Sequence, residues 1–221
     1  MDTNIVGLIA SFAFLGLVIA IAFILGKKTT ISSETMRKFI HIGVSNWWFI
    51  EITFFTSLSY ALVGPIFFII SNSLFTFLDW GRFVGMDDKK RNYGLIYFPV
   101  TFLLMVILQY QGTLPTIACT IGVLVMGYGD GFAGLIGRKW GKRTLNIPSG
   151  GKTWLGTLVM FLVSFLVTFV ILMIASLSLG SAFGIALLVG VVSAIVEAIT
   201  PLGLDNLTVP LLAAFIVGTF L

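Results

Sequence analysis

Charge is what this sequence has least of. Only 10% of its 221 residues are Asp, Glu, Lys or Arg, where a soluble domain carries about 25%. With 58% hydrophobic residues and a mean hydropathy of +1.08, a water-soluble globular domain is excluded. Cysteine is almost absent as well. Cys119 is alone and lies inside an apolar run, so no disulfide framework exists and the redox compartment is unmarked. No internal repeat is visible, and no acid occurs between Asp130 and Glu197.

What is present are long apolar blocks, each of a length suited to a hydrocarbon core of about 30 Å. Eight can be drawn, at 4–26, 39–55, 57–78, 94–110, 114–137, 153–176, 181–200 and 206–221. The expected fold is therefore an all-α polytopic membrane protein of about eight transmembrane helices, with seven as the alternative count, in one domain over 1–221. The blocks 39–55 and 94–110 are short for a full crossing, so tilting or breakage is expected there. The first block is too long, and too poor in cleavage-site character, for a removable signal peptide.

All 13 basic residues fall in three connections. Lys27, Lys28, Arg37 and Lys38 follow block one. Arg82, Lys89, Lys90 and Arg91 follow block three, and Arg138, Lys139, Lys142, Arg143 and Lys152 follow block five. If every block spans, these connections (about 27–38, 79–93 and 138–152) share one face. The positive-inside rule makes that face cytoplasmic and puts both termini outside. Polar residues gather at the same depth: His41, Asp79, Arg82, Asp130, Glu197, Asp205 and Asn206. Ionisable groups within spans are costly and mark cavities or functional sites, although any one of them could be a helix cap or an interhelical hydrogen bond. Glu51 is almost alone in the outer half.

Two phosphate-binding echoes fail on context. Residues 129–134, GDGFAG, satisfy G-x-G-x-x-G, but no strand precedes them and no acid follows until Glu197. GGKT at 150–153 would need glycine at 146 to be a P-loop, and Asn146 stands there. Read directly, Gly127, Gly129, Gly131, Gly134, Gly137 and Gly141 strip one helix end of side chains, for close packing or close approach of a ligand. Beyond them Arg138, Lys139, Lys142, Arg143 and Lys152 suit a polyphosphate or anionic lipid headgroups. An isolated acid beside such a pocket suits Mg²⁺ or an attacking hydroxyl's proton. Phosphoryl transfer at the membrane surface is the leading chemistry.

Four segments in order then resemble the membrane-embedded, CTP-dependent lipid kinases, the family of dolichol, phytol and farnesol kinases and the fungal CTP-dependent diacylglycerol kinase. They are ETMRKFIHIGVS, RNYGLIYFPV, GDGFAGLIGRKWGK with SGGKTWLGT, and EAITPLGLDNLTVPL, together spanning 34–211. The resemblance implies CTP as donor, a divalent metal such as Mg²⁺, and a lipid alcohol dissolved in the bilayer as acceptor. It implies Asp130, His41 and Lys152 as catalytic residues. Gly129, Gly131, Gly134, Gly137, Gly141, Arg138, Lys139, Lys142, Arg143, Thr153, Arg37, Lys38 and Asn206 would frame the nucleotide. Asp130, Glu197 and Asp205 are the expected metal ligands. The chain departs from the family at Leu155, where an acid commonly stands, which leaves metal number and substrate subclass open. Two other functions stay open, a phosphatidate cytidylyltransferase and a small transporter. No nucleic acid partner is expected. The short chain, without a transit-like segment, suggests a prokaryotic plasma membrane with the site on its cytoplasmic face.

Overall fold

A segment in hydrocarbon must satisfy its own backbone polar groups, so each apolar block has to be helical. A computed structural model describes residues 2–28, 32–78, 89–147 and 151–221. Asp79 and Arg82 lie outside the described residues. The helices are α1 Thr3–Lys28, α2 Ser33–Ser45, α3 Trp47–Phe54, α4 Leu58–Ala61, α5 Val63–Phe77, α6 Lys89–Tyr110, α7 Thr116–Leu124, α8 Gly131–Trp140, α9 Trp154–Ile174, α10 Leu179–Ile199 and α11 Asp205–Gly218. A π-helical segment, Val125–Asp130, joins α7 to α8. Among the described residues the one β-type pairing is an isolated bridge between Thr144 and Thr153.

Every predicted block is helical, and the all-α membrane fold holds. Among the described residues six helices are long and apolar enough to cross a membrane, at Thr3–Gly26, Leu58–Phe77, Tyr93–Tyr110, Thr116–Trp140, Trp154–Ile174 and Leu179–Ile199. The other two of the roughly eight expected blocks are shorter helices, and the break expected in the first of them is present. The block at 39–55 is broken between α2 and α3, where Asn46 turns its amide back on Ile42 O at 2.8 Å and receives the Tyr128 hydroxyl at 2.6 Å. The last block is α11, 14 residues long, a rise of about 21 Å. The basic connections also shrink, because α2 already contains Arg37 and Lys38, and α8 contains Arg138 and Lys139.

The α7–π–α8 rod is the centre of the packing, with 72% of its apolar window buried against 17–50% for the other long helices. Its buried face is made of small or branched residues, Ala118, Ile121, Gly122, Val123 and Val125. That lets α11 and α6 approach closely, as small residues do between membrane helices. A Cβ at Gly122 would stand 2.5 Å from Pro210 O and 3.0 Å from both Ala214 Cβ and Met105 Cε. Polar stitches add direction. Trp48 Nε1 donates to Thr120 Oγ1 at 2.8 Å, and the fully buried Glu51 accepts weakly from Gln109 Nε2 at 3.5 Å. Gly122→Val is therefore expected to overpack the α7–α11 contact and cost about 1–3 kcal/mol. A lower unfolding midpoint in detergent would register it, and an unchanged midpoint would show that this contact can relax.

Candidate active site

The site is built where the central rod changes its winding. Asp130 is the last residue of the π-helical segment, at its junction with α8. Isolated π turns of this kind often sit at functional sites. Its carboxylate is 4% exposed as a residue and is met from α2, with Lys38 Nζ 2.5 Å and His41 Nε2 3.5 Å from Oδ2. His41 Nε2 also donates to Met126 O at 3.2 Å, which leaves Nδ1 as the accepting nitrogen of the neutral ring. The His41 ring rests against Phe98, with centroids 4.3 Å apart.

Two further acids arrive from the other end of the chain. Glu197 is in the last turn of α10 and Asp205 in the first turn of α11. The turn between them needs left-handed backbone at Leu202 (φ 61°) and Gly203 (φ 78°). A non-glycine residue there is unusual and costs conformational energy. Glycine at 203 also admits α6, since a Cβ would lie 2.7 Å from Gly94 Cα. Lys152 closes the group, its ammonium bonded to Glu197 and, at 2.8 Å, to Asp205 Oδ2. Its backbone is fixed by the pairing of its loop: Leu145 N donates to Lys152 O at 2.8 Å and Trp154 N to Arg143 O at 3.1 Å. Burial alone would lower the Lys152 ammonium's pKa, but Asp205, then Glu197 and Asp130, outweigh burial and raise it above the ordinary lysine value.

One oxygen from each of Asp130, Glu197 and Asp205 lies within 4.8 Å of the others. These three acids directly pair with two ammoniums, Lys38 and Lys152. Glu197 Oε2 is buried with no hydrogen-bond partner. An all-oxygen set of carboxylates short of positive charge fits a hard divalent cation such as Mg²⁺.

The cluster forms the polar wall of a cavity of about 1300 Å³. Gly134 and Gly137 make that wall thin. A Cβ at 134 would fall 2.5 Å from Lys38 Cε, and one at 137 would fall 2.8 Å from Gly156 Cα. At the rim, Glu34 holds Arg37 at 3.1 Å and Arg138 at 2.8 Å. Thr153 caps α9 by accepting Gly156 N at 3.0 Å, and Asn206 Nδ2 donates to Gly94 O at 3.4 Å. Arg37, Lys38, His41, Asp130, Gly134, Gly137, Arg138, Gly141, Lys152, Thr153, Glu197, Asp205 and Asn206 are all brought to this cavity.

Five predicted residues are placed elsewhere. Gly129 faces Met160 and Ser164 of α9, and Gly131 packs on Ile42 of α2. Lys139, Lys142 and Arg143 are exposed outside the cavity lining, Lys139 lying 4.6 Å over the Trp140 ring. Glu34, Gly94 and Gly203 are lining residues that sequence reasoning missed. The Glu34/Arg37 spacing of three was the available signal for the first. Leu155, at the family's usual acid position, is outside the lining, while its neighbours Gly156 and Thr157 are in it.

Comparison with known proteins bears on what this geometry is for. Over 216 residues the chain is 33% identical to phytol kinase of Synechocystis sp. (strain ATCC 27184 / PCC 6803 / Kazusa), covering 96% of this chain and 89% of the relative. The chain belongs to the family of membrane-embedded lipid-alcohol kinases that includes phytol kinase. No family profile matches it, and no solved structure does. A lipid-alcohol kinase needs a polar, phosphate-handling site that an apolar molecule can reach, and the cavity supplies both linings.

Removing one partner of a buried ion pair costs about 3–5 kcal/mol. Lys152→Met is therefore expected to lower the unfolding midpoint of the purified kinase in detergent. Millimolar Mg²⁺ should restore part of that loss and shift the wild type less. A variant as stable as wild type would mean that Glu197 and Asp205 do not depend on Lys152.

Proposed function

We propose that this kinase transfers the γ-phosphoryl group of CTP to the primary hydroxyl of a lipid alcohol of the phytol or polyprenol class. The observation that supports it is the continuity of one cavity from three carboxylates and two lysines to a lining of apolar helix surface. A triphosphate and a hydrocarbon chain can meet only where such surfaces join. The cavity exceeds the roughly 300–1,000 Å³ of a pocket for one small ligand, so two substrates can be accommodated together.

In this reading the acceptor oxygen attacks the γ-phosphorus. The new O–P bond forms as the bond to the β,γ-bridging oxygen breaks, and CDP leaves with that electron pair. Asp130 or His41, whose Nε2 lies 3.5 Å from that carboxylate, orients the hydroxyl and takes its proton. Lys38 and Lys152 are ammoniums already held at the wall, and a bound triphosphate would compete with the acids for them. Arg37 and Arg138 at the rim suit bidentate contact with phosphate oxygens. Asp130, Glu197 and Asp205 would hold Mg²⁺, which neutralises charge developing on the phosphoryl oxygens. Catalysis of this type is positioning and charge stabilisation, which suits groups fixed on helix ends. By the positive-inside rule, the basic connections beside the cavity support a site that faces the cytoplasm.

The test is an assay with radiolabelled nucleotide and a panel of lipid alcohols in vesicles. CTP is expected to label the alcohol and release CDP, with ATP a poor donor. Preferential use of ATP would overturn the nucleotide, and release of pyrophosphate would indicate cytidylyl transfer instead. Asp130→Asn is expected to reduce kcat by roughly 10²–10⁴-fold while the protein still inserts and purifies. Near-normal turnover would remove Asp130 from the chemistry.

A further inference from the structure

The cavity has a second half that the phosphoryl chemistry does not use. From the carboxylates it passes the His41–Phe98 pair and continues among α1, α2, α5 and α6, as far as Trp47, Gly64 and Pro65. From Asn72 to Gly64, both lining residues of α5, the helix rises about 12 Å. The far end is rigid. Trp47 is 3% exposed, its Nε1 donates to Ser11 Oγ at 2.8 Å, and its ring meets Phe102 edge-on at 5.3 Å. Gly64 lies against the indole, where a Cβ would stand 3.3 Å from Trp47 Cζ2. One side of this slot reaches the lipid. Ile19 and Phe23 of α1 line it and are also 47% and 59% exposed on the helix surface. Towards the outer end α1 and α5 touch through Phe12 and Phe67, whose rings are 5.4 Å apart.

We propose that this slot holds the hydrocarbon chain of the acceptor, a single-chain alcohol entering from the bilayer beside Ile19 and Phe23, and that Trp47 is the floor that selects its length. The proposal rests on the lipid-alcohol reading of the polar half. A chain leaving the bilayer gains no hydrophobic transfer energy, because lipid tails are as apolar as the slot. Selection must then come from shape. A chain that fills the slot gains dispersion contacts with Phe98, Phe68 and Trp47. One that meets the floor too early draws its hydroxyl away from Asp130, where a misplacement of about 1 Å can cost 10²-fold. The indole acts as a stop because Ser11 and Phe102 hold its plane. Glycine at 64 lets the indole lie against α5, and a longer side chain there would crowd both the indole and the slot that Gly64 lines.

The measurement is the ratio of kcat/KM for a four-unit isoprenoid alcohol to that for a two-unit one, in vesicles of fixed phospholipid composition. Gly64→Leu is expected to lower this ratio about tenfold, an overpacking effect. Trp47→Ala is expected to raise it, and Ser11→Ala, a milder change that only frees the indole, should move it the same way. A ratio unchanged in all three variants overturns the proposal, as does a ratio for Gly64→Leu that rises.

A second arm needs no nucleotide. A four-unit alcohol with a photoreactive diazirine at its tail should label the protein near Trp47 and Gly64. Such labelling without phosphorylation by any nucleotide would support the slot and remove the kinase reading. Phosphorylation with labels scattered over the outer faces of the helices would keep the kinase and overturn the slot.

Discussion

Three carboxylates held nearly out of water, at the end of an apolar helix bundle, are the constraint on which the rest of this structure depends. Each would be costly to bury alone. Asp130 is compensated by Lys38 across 92 residues of chain, and Glu197 with Asp205 by Lys152 across 45 and 53. These pairs are long-range by necessity, because no single helix could carry both partners and remain apolar over its membrane length. They tie α2 to the central rod and the basic loop to α10 and α11. A bundle of membrane helices has little hydrophobic force to fix its arrangement, so such pairs specify which helix ends must meet.

The backbone irregularities serve that meeting. The π-helical segment ends at Asp130, and the break at Asn46 is locked by Tyr128 from the same segment. The strained turn at Leu202 and Gly203 lets the end of α10 and the start of α11 offer acids to one lysine. Each irregularity lies at or beside the cavity, where a regular helix would carry its side chains past the site. The long helices α1, α9 and α10 contain no such departure within their length.

Much of the site was legible because polar residues are so few. When a chain carries nine acids and 13 bases, Asp130, Glu197, Asp205, Lys38 and Lys152 stand out without any geometry. The rest needed three dimensions. Lys139, Lys142 and Arg143 share the charge and loop of Arg138, yet only Arg138 reaches the cavity, since a helix end points successive residues in different directions. Gly129, Gly131, Gly134 and Gly137 all admit a neighbouring element, at Met160, Ile42, Lys38 and Gly156 in turn, and of the four only Gly134 and Gly137 also border the cavity, which composition could not tell. Hydropathy delimits the blocks at 39–55 and 206–221 and marks the first as short for a crossing, and the structure adds where that one is broken and that the other is a helix of 14 residues.

The end of the bundle away from the carboxylates argues about function by contrast. Glu51 is the acid that a transporter reading would have to use, and it is fully buried beside Gln109 in the packed core. Glu51 does not line the large cavity. All polar investment with room beside it is at the opposite end, where the cavity's apolar half comes up to meet it. A carrier must pass a polar solute through the depth of the bilayer. Here the deep end is floored by Trp47 and walled by Phe68 and Phe102, surfaces that suit a chain already dissolved in lipid. On the proposed reading, the molecule holds an amphipathic substrate still at the boundary of two solvents, with its hydroxyl in the polar one and its chain in the other.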